Sequence, residues 1–342
     1  MILHYKCANC GSDMRFDADS GTLSCQSCGR QDNIETIRED LQVTTFSDEE
    51  AKEYQCENCG AALITSIETT ATHCSFCGAG VVIADRLSGH LAPAKVIPFT
   101  VSKEEAIRAF KKWCRKGWLT PKGFMTADRI KSLTGIYVPF WLFDLNSQAN
   151  VSATCTRVRT YTRGDYIYTE TRYYDAYRKI NLDYVKIPVD ASEKMNDALM
   201  DKLEPFPYEQ LKEFKTPYLA GYLAEKYNYT DEQLLPRAKE KVQQFIHDYI
   251  QSTFSGYHSV RYNRRQINTN NVKSKYVLLP VWMVCYDYNQ TEHIFAMNGQ
   301  TGKVVGKPPL SAKKMAMWFG GIAVGMLIAL KSVSFLMGGG FW

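Results

Sequence analysis

The sequence predicts an α+β protein with two cysteine-rich units at its N-terminus, an antiparallel sheet with inserted helices, and one C-terminal transmembrane helix. Three observations lead to this prediction. Eight of the 11 cysteines recur as four Cys-x-x-Cys pairs near the N-terminus. Apolar residues alternate with a period of two over much of the middle of the chain. An uncharged apolar stretch follows residue 314.

The four Cys-x-x-Cys pairs are each followed by glycine, and they form two sets related by a shift of 49 positions. Such a turn directs two thiolates at one point, and the glycine accepts the positive φ that the turn needs. Two turns complete a tetrahedral site with no open position for substrate, so we expect structural sites. The predicted ligands of the two sites are Cys7, Cys10, Cys25 and Cys28, and Cys56, Cys59, Cys74 and Cys77.

Each cysteine set predicts a zinc ribbon, the first over residues 1–45 and the second over residues 46–92. A unit of this size buries too little apolar surface to fold alone, so we expect two bound zinc ions, with rubredoxin-like iron as the competing metal. Short strands indicate a hairpin in each ribbon. The paired strands are Met14–Asp17 with Thr22–Ser24, and Ala62–Ser66 with Ala71–His73.

No apolar signal segment opens the chain, so we expect the N-terminus in the cytosol, where thiols stay reduced and clustered cysteines serve as metal ligands. Charge is unevenly distributed along the chain. Residues 1–92 carry 6 Lys and Arg against 14 Asp and Glu, a net charge of −8, whereas the remainder carries +13. An acidic ribbon pair repels a phosphate backbone, and a basic body suits an anionic membrane leaflet.

Residues 93–310 predict the α+β domain. A capping box, Ser102-x-x-Glu105, begins a helix that Gly117 ends, and its basic face either lies on anionic lipid or is simply solvated. Further helices are predicted over Ser192–Leu203, Tyr208–Phe214, Tyr218–Tyr227 and Asp231–Thr253. Strands are predicted over Ile136–Leu145, Val151–Tyr161 and Tyr166–Tyr177, and over residues 294–297 and 303–305.

A weaker internal repeat relates Val138-Pro139-Phe140-Trp141 to Leu279-Pro280-Val281-Trp282. The sequence has no phosphate-binding loop, nucleophile elbow or His-Glu-x-x-His motif. We therefore expect a protein that is not an enzyme.

The transmembrane helix is predicted over residues 315–337. Sixteen uncharged residues, Met315 to Leu330, span about 24 Å, and the whole segment spans about 34 Å, enough for a ~30 Å bilayer core if Lys331 lies at the far edge. Lysines precede this segment, so we expect a single-pass cell-membrane protein with its bulk in the cytoplasm. Gly321 and Gly325 lie four residues apart and predict contact with a second membrane helix.

Several motifs together resemble a family of membrane-anchored double zinc-ribbon proteins of Gram-positive bacteria, often labelled as similar to the replication-restart primosomal helicase. They are the duplicated cysteine turns, the hydrophobic tail, and the stretches at residues 73–78, 135–141 and 218–222. The helicase label concerns only the ribbon cysteines, because this chain has neither the phosphate loop nor the length of a motor. The resemblance implies a role in the envelope-stress response.

As partners, the resemblance implies phage-shock-protein-A-like and band-7 or virion-core-like proteins. The expected function is thus a membrane-tethered zinc-ribbon adaptor that docks cytosolic partners at the lipid bilayer. Two alternatives remain. One is nucleic-acid binding through the ribbons, which the acidic N-terminal charge disfavours. The other is an iron redox protein that uses the same cysteines.

Overall fold

A computed structural model describes most of the chain. The described residues are 2–3, 5–37, 53–55, 62–64, 69–73, 80–83, 93–116, 119–121, 133–288, 291–308 and 310–336. The fold is α+β, as predicted, and combines helices with antiparallel and mixed sheets.

Four α-helices lie in the described part of the chain: α1 (Lys103–Lys116), α2 (Asp197–Leu203), α3 (Asp231–Ser252) and α4 (Ala312–Leu336). Short 3-10 helices cover Ile34–Thr36, Tyr208–Gln210 and Thr216–Leu219. The N-terminal strands are β1 (Ile2–Leu3), β2 (Met14–Asp17), β3 (Thr22–Cys25), β4 (Gln31–Asp32), β5 (Glu53–Gln55), β6 (Ala62–Ile64), β7 (Thr69–His73) and β8 (Gly80–Ile83). The remaining strands are β9 (Lys95–Val96), β10 (Thr134–Arg163), β11 (Tyr166–Asp190), β12 (Lys212–Glu213), β13 (Leu223–Glu225), β14 (Ser259–Tyr288), β15 (Thr291–Asn298) and β16 (Val304–Val305).

The main sheet follows the order β1-β8-β7-β13-β10-β14-β15-β16, with β11 paired to β10. Strands β10, β11 and β14 form a long antiparallel ribbon that projects from this sheet. The two segments of the weaker internal repeat, residues 138–141 and 279–282, meet at the base of this ribbon, where Val138 pairs with Leu279. Aromatic rings fill the core there: Phe99 stacks on Tyr222 at 4.2 Å and meets Trp282 edge-on at 5.1 Å.

Helix α3 covers one face of the long ribbon, and this element was correctly predicted. Thr230 and Gln233 form both hydrogen bonds of its capping box, so the helix begins where the sequence indicates. Its buried side chains lie four residues apart, at Ala238, Val242, Ile246 and Ile250. They pack on the alternate residues of β10 that point toward the helix.

The predicted strand ends at Leu145 and Tyr177 are wrong, because β10 and β11 continue well past them. Between the predicted strands, β10 keeps its alternation with small residues, since Ser147 and Ala149 are buried while Gln148 is exposed. The first half of β14, residues 259–275, was missed because both its faces are largely polar.

Two predicted helices are also wrong. Residues 208–214 form a 3-10 turn followed by β12, which pairs with β9. Residues 218–227 begin in a 3-10 turn and continue as β13, because Gly221 adopts φ +89° and ends the helical geometry. In the predicted helix Ser192–Leu203, only Asp197–Leu203 is helical.

Candidate metal centre

The first predicted ligand set forms a compact cluster. All four sulfur atoms of Cys7, Cys10, Cys25 and Cys28 lie within 4.8 Å of one another. The Sγ atoms of Cys7 and Cys28 are 3.5 Å apart, as are those of Cys10 and Cys25. A tetrahedral thiolate site with metal–sulfur bonds near 2.3 Å has sulfur–sulfur edges of about 3.8 Å. The cluster therefore has the size to hold one metal ion.

The two turns that carry these cysteines have the same backbone geometry. The Cys7 N–H donates to the Ser12 carbonyl at 2.8 Å, and the Cys25 N–H donates to the Arg30 carbonyl at 2.8 Å. Each glycine donates back to the first cysteine of its turn and has a positive φ, +72° at Gly11 and +75° at Gly29. A side chain at either glycine would strain the backbone, so the glycine is part of the turn.

Electrostatics in the cluster favour a bound cation. Hydrogen bonds from Ser12 lower the pKa of the exposed Cys10 to about 6. At Cys25, hydrogen bonds from the Cys28 and Ser27 backbone are outweighed by burial and neighbouring thiols, and the pKa rises to about 11. Four thiolates this close repel one another, so full ionisation of the cluster requires a positive ion among them.

The second predicted ligand set, Cys56, Cys59, Cys74 and Cys77, lies outside the described residues. The strands on either side of its turns are described, and the pairing across each turn of the first set recurs there. Gln55 pairs with Ala62 as Lys6 pairs with Asp13, and His73 pairs with Gly80 as Ser24 pairs with Gln31. Each of these residues is shifted by the same 49 positions that relate the cysteines. The pairing of β2 with β3, which joins the two turns of the first set, does not recur among the described residues, because β6 pairs with β5 and β7 pairs with β8 and β13. The hairpin predicted for the second ribbon, residues 62–66 with 71–73, is therefore wrong for the described residues.

The first cysteine unit, residues 5–37, packs firmly on the body of the protein. The Phe16 N–H donates to the Ala220 carbonyl at 2.8 Å, and the Phe16 ring contacts the rings of Tyr218 at 5.4 Å and Tyr222 at 6.3 Å. Lys215 pairs with Glu35 at 2.7 Å. This contact was not predicted from the sequence. The feature that could have indicated it is the aromatic segment at residues 218–222, whose tyrosines contact Phe16.

Helix α4 begins three residues before the predicted transmembrane segment and runs to residue 336. By length and composition, residues Ala312–Val333 could cross a membrane, and the other described residues do not bury them. Gly321 and Gly325 both lie in this helix, and a Cβ atom built at either would meet nothing within 4 Å. Their predicted contact with another helix stays a prediction.

A second polar site, not anticipated from the sequence, surrounds Asp190 at the end of β11. Asp190 is 1% exposed and accepts a hydrogen bond from the Ser192 N–H at 3.1 Å. Its other oxygen has no partner among the described residues. Burial raises its pKa to about 7, and Arg237, which pairs with Asp197 at 2.8 Å, only partly offsets this. The carboxyl lines a cleft of about 710 Å³.

These features define an α+β protein with an N-terminal four-cysteine unit able to hold a metal ion and, among the described residues, one exposed apolar helix toward the C-terminal end. No protein-family model and no solved structure matches the chain. A protein of Bacillus subtilis (strain 168), described as the uncharacterized protein YdjG, is 69% identical over 341 residues, covering 100% of both chains. The chain belongs to the YdjG family.

Proposed function

We propose that the protein is a non-enzymatic, membrane-tethered zinc-ribbon adaptor that docks cytosolic partners at the cell membrane, in the envelope-stress response. The single observation that carries this proposal is the combination of a four-thiol unit packed on the body with an apolar helix whose membrane-length stretch is not buried by the other described residues. A helix of this length buried in a soluble core would be covered by other elements. An apolar helix of this length that other elements do not cover is stable when the lipid bilayer surrounds it.

The proposal includes two zinc ions. The strand pairing across each turn of the second set reproduces the pairing across the matching turn of the first, with a shift of 49 residues. Turns held between strands paired in the same way direct their side chains alike, so each Cys-x-x-Cys pair of the second set is expected to offer two thiolates to one ion. Four thiolates can bind either zinc or iron. Metal analysis of the purified protein distinguishes the two.

The partners in this proposal are phage-shock-protein-A-like and band-7 or virion-core-like proteins in the cytosol. The first cysteine unit offers them a surface that does not move relative to the body, because Phe16 and Glu35 fix it at two places. Acidic side chains such as Asp19 stay exposed on it. A rigid surface loses little conformational freedom on binding, which favours a docking role.

The test is affinity purification of the full-length chain from detergent-solubilised membranes, with mass spectrometry and metal analysis of the same sample. We expect two zinc ions per chain and a partner that is lost when Cys7 and Cys10 are both replaced by serine. Cys155→Ser is the matched control, because Cys155 is buried and lies outside both sets. Recovery of the protein outside the membrane fraction, or free of metal, would contradict the proposal.

A second membrane protein is proposed to contact α4 through Gly321 and Gly325. Small residues four apart let two helices approach closely in lipid. Replacing both by leucine is expected to reduce cross-linking between tagged copies or with the partner. Gly320→Leu is the control, because Gly320 also meets no neighbour but points to a different side of the helix. Unchanged cross-linking in the double variant would remove this contact from the proposal.

Nucleic-acid binding is the second candidate function. It is favoured by the exposed side chains at the tip of the long antiparallel ribbon formed by β10, β11 and β14, not by the zinc ribbons. Beyond the end of α3, one face carries Arg157 opposite Arg172 and Tyr161 opposite Tyr168. Exposed arginine and tyrosine together suit phosphates and bases. Titration of the full-length protein with a labelled oligonucleotide at several salt concentrations tests it, and R157Q/R159Q should then weaken binding and flatten the salt dependence.

A further inference from the structure

Helix α1 has two faces of opposite character, and the protein fixes which one points outward. Phe110 and Trp113 are buried and both pack edge-on against Phe295, at 5.1 and 5.3 Å between ring centres. The helix therefore cannot rotate about its axis. The opposite side, called here the basic face, lines a shallow depression of about 370 Å³ and consists of Arg108, Lys111, Lys112 and Arg115.

The C-terminal end of α1 is tied to the chain that leads into α4. The indole Nε1 of Trp113 donates to the Gly306 carbonyl at 3.2 Å. Just after α1, the Leu119 carbonyl accepts from the Ser311 N–H at 2.8 Å, and the Thr120 carbonyl accepts from the Lys314 ammonium at 2.6 Å. The segment that follows α1 thus lies against the first turn of the apolar helix.

Chain connectivity limits how far the basic face can be from that point. Leu119 is three positions after Lys116, so their Cα atoms are at most about 11 Å apart. Arg108 lies only eight residues earlier in the helix, which adds about 12 Å. Arg115, at the C-terminal end of the basic face, is at most about 15 Å from Leu119 by the same reasoning. This is less than two Debye lengths at physiological salt, about 8 Å each, so charges at a surface that α4 enters are only partly screened there.

Charge along α1 increases toward α4. The two acidic residues, Glu104 and Glu105, lie in the first turn, and Glu105 approaches Arg108 at 3.6 Å. From residue 106 to residue 116 the sequence contains no acidic residue. Lys313 adds a further positive charge at the start of α4. A positive charge that grows toward the end of a transmembrane helix complements an anionic leaflet.

We propose that the basic face of α1 is a binding site for the phosphate headgroups of anionic phospholipids in the leaflet that α4 enters. The inference rests on the membrane anchor of the proposed function, and it deepens that function by orienting the body on the bilayer. Two points then fix the protein, the α4 helix and the basic face. The first cysteine unit is consequently held at one orientation to the membrane surface.

The test uses the full-length protein in lipid nanodiscs of phosphatidylcholine alone, or with 30% phosphatidylglycerol, and measures how fast an amine-reactive reagent acylates each lysine. Lys111 and Lys112 are expected to react about threefold or more slowly with phosphatidylglycerol present, because headgroup phosphates occupy them. Lys179 and Lys273, exposed on the long ribbon, are internal references whose rates should not change. Equal rates for Lys111 and Lys112 in both nanodiscs would overturn the proposal.

A charge-matched pair of variants keeps the test specific. R108Q/K111Q/K112Q/R115Q is expected to co-purify with about half the phosphatidylglycerol of wild type in polymer-extracted native discs, whereas R163Q/K179Q/R264Q/K273Q, which removes the same charge from exposed positions of the ribbon, should match wild type. Equal loss in both variants would overturn the site. Protection of Lys112 by soluble glycerol phosphate in phosphatidylcholine discs would overturn the bilayer as its ligand. If the protein stays in membranes without any lipid effect, only this inference fails.

Discussion

Asp190 allows a quantitative prediction about pH and stability. Burial raises its pKa from 3.8 to about 7, so the folded protein holds this proton more tightly than the unfolded chain does. Stability from this group is full below pH 4 and is lost as the pH rises toward 7. A difference of about three pK units corresponds to about 4 kcal/mol, which is the upper limit of the loss.

The perturbation is Asp190→Asn, which keeps an oxygen for the Ser192 N–H and cannot ionise. The variant is expected to gain stability relative to wild type by about 2 to 3 kcal/mol between pH 5 and pH 8, and to match it near pH 4. The measurement is denaturant unfolding of the full-length protein in detergent, followed by tryptophan fluorescence. Wild type and Asp190→Asn carry the same cysteines, so any effect of metal release at low pH is the same in both and cancels in the difference between their free energies of unfolding.

Asp165→Asn is the control for the chemical substitution itself, because Asp165 is exposed in the turn between β10 and β11. If the Asp190→Asn and wild-type curves run parallel from pH 5 to pH 8, the carboxyl does not ionise in a buried site and the reasoning is refuted.

Three further predictions concern the N-terminal unit and the body. Cys28→Ser should lower the metal content of the purified protein by one ion per chain relative to wild type, whereas Cys155→Ser should leave it unchanged; an unchanged content in Cys28→Ser would contradict the first site. Phe16→Ala should lower the free energy of unfolding by about 3 to 5 kcal/mol by leaving a cavity against Tyr218 and Tyr222, and limited proteolysis should then cut within residues 5–37 faster than in wild type. Thr230→Ala should lower the free energy of unfolding by about 1 kcal/mol through loss of the α3 capping box, and Thr230→Ser should restore it.

Local patterns carried most of the correct predictions. The spacing of Cys7, Cys10, Cys25 and Cys28 is enough to predict their convergence, because two short turns and one hairpin bring them together. Helix α3 was predicted equally well, since its cap and its apolar period agree. In both cases the residues that decide the structure lie within about 25 positions of one another.

The errors arose where distant parts of the chain decide the structure. Residues 212–213 become a strand because β9 is available to pair with them, and the sequence around them does not show this. The polar half of β14 is stabilised by pairing with β10 over most of its length. The packing of Phe16 on Ala220, and the burial of Asp190, likewise join segments far apart in sequence.

The sharing of one hydrophobic core by the first cysteine unit and the body links metal supply to the rest of the molecule. Cys7 and Cys25 lie in the same cluster of buried residues as Phe99 and Trp282, while Cys10 and Cys28 face solvent. A chelator or an oxidant can therefore reach the exposed thiols of Cys10 and Cys28. A change there would also alter the packing around Cys7 and Cys25 in the hydrophobic core. If the cluster holds a metal ion, loss of that ion would disturb the packing of the central aromatic residues as well as the cysteine unit.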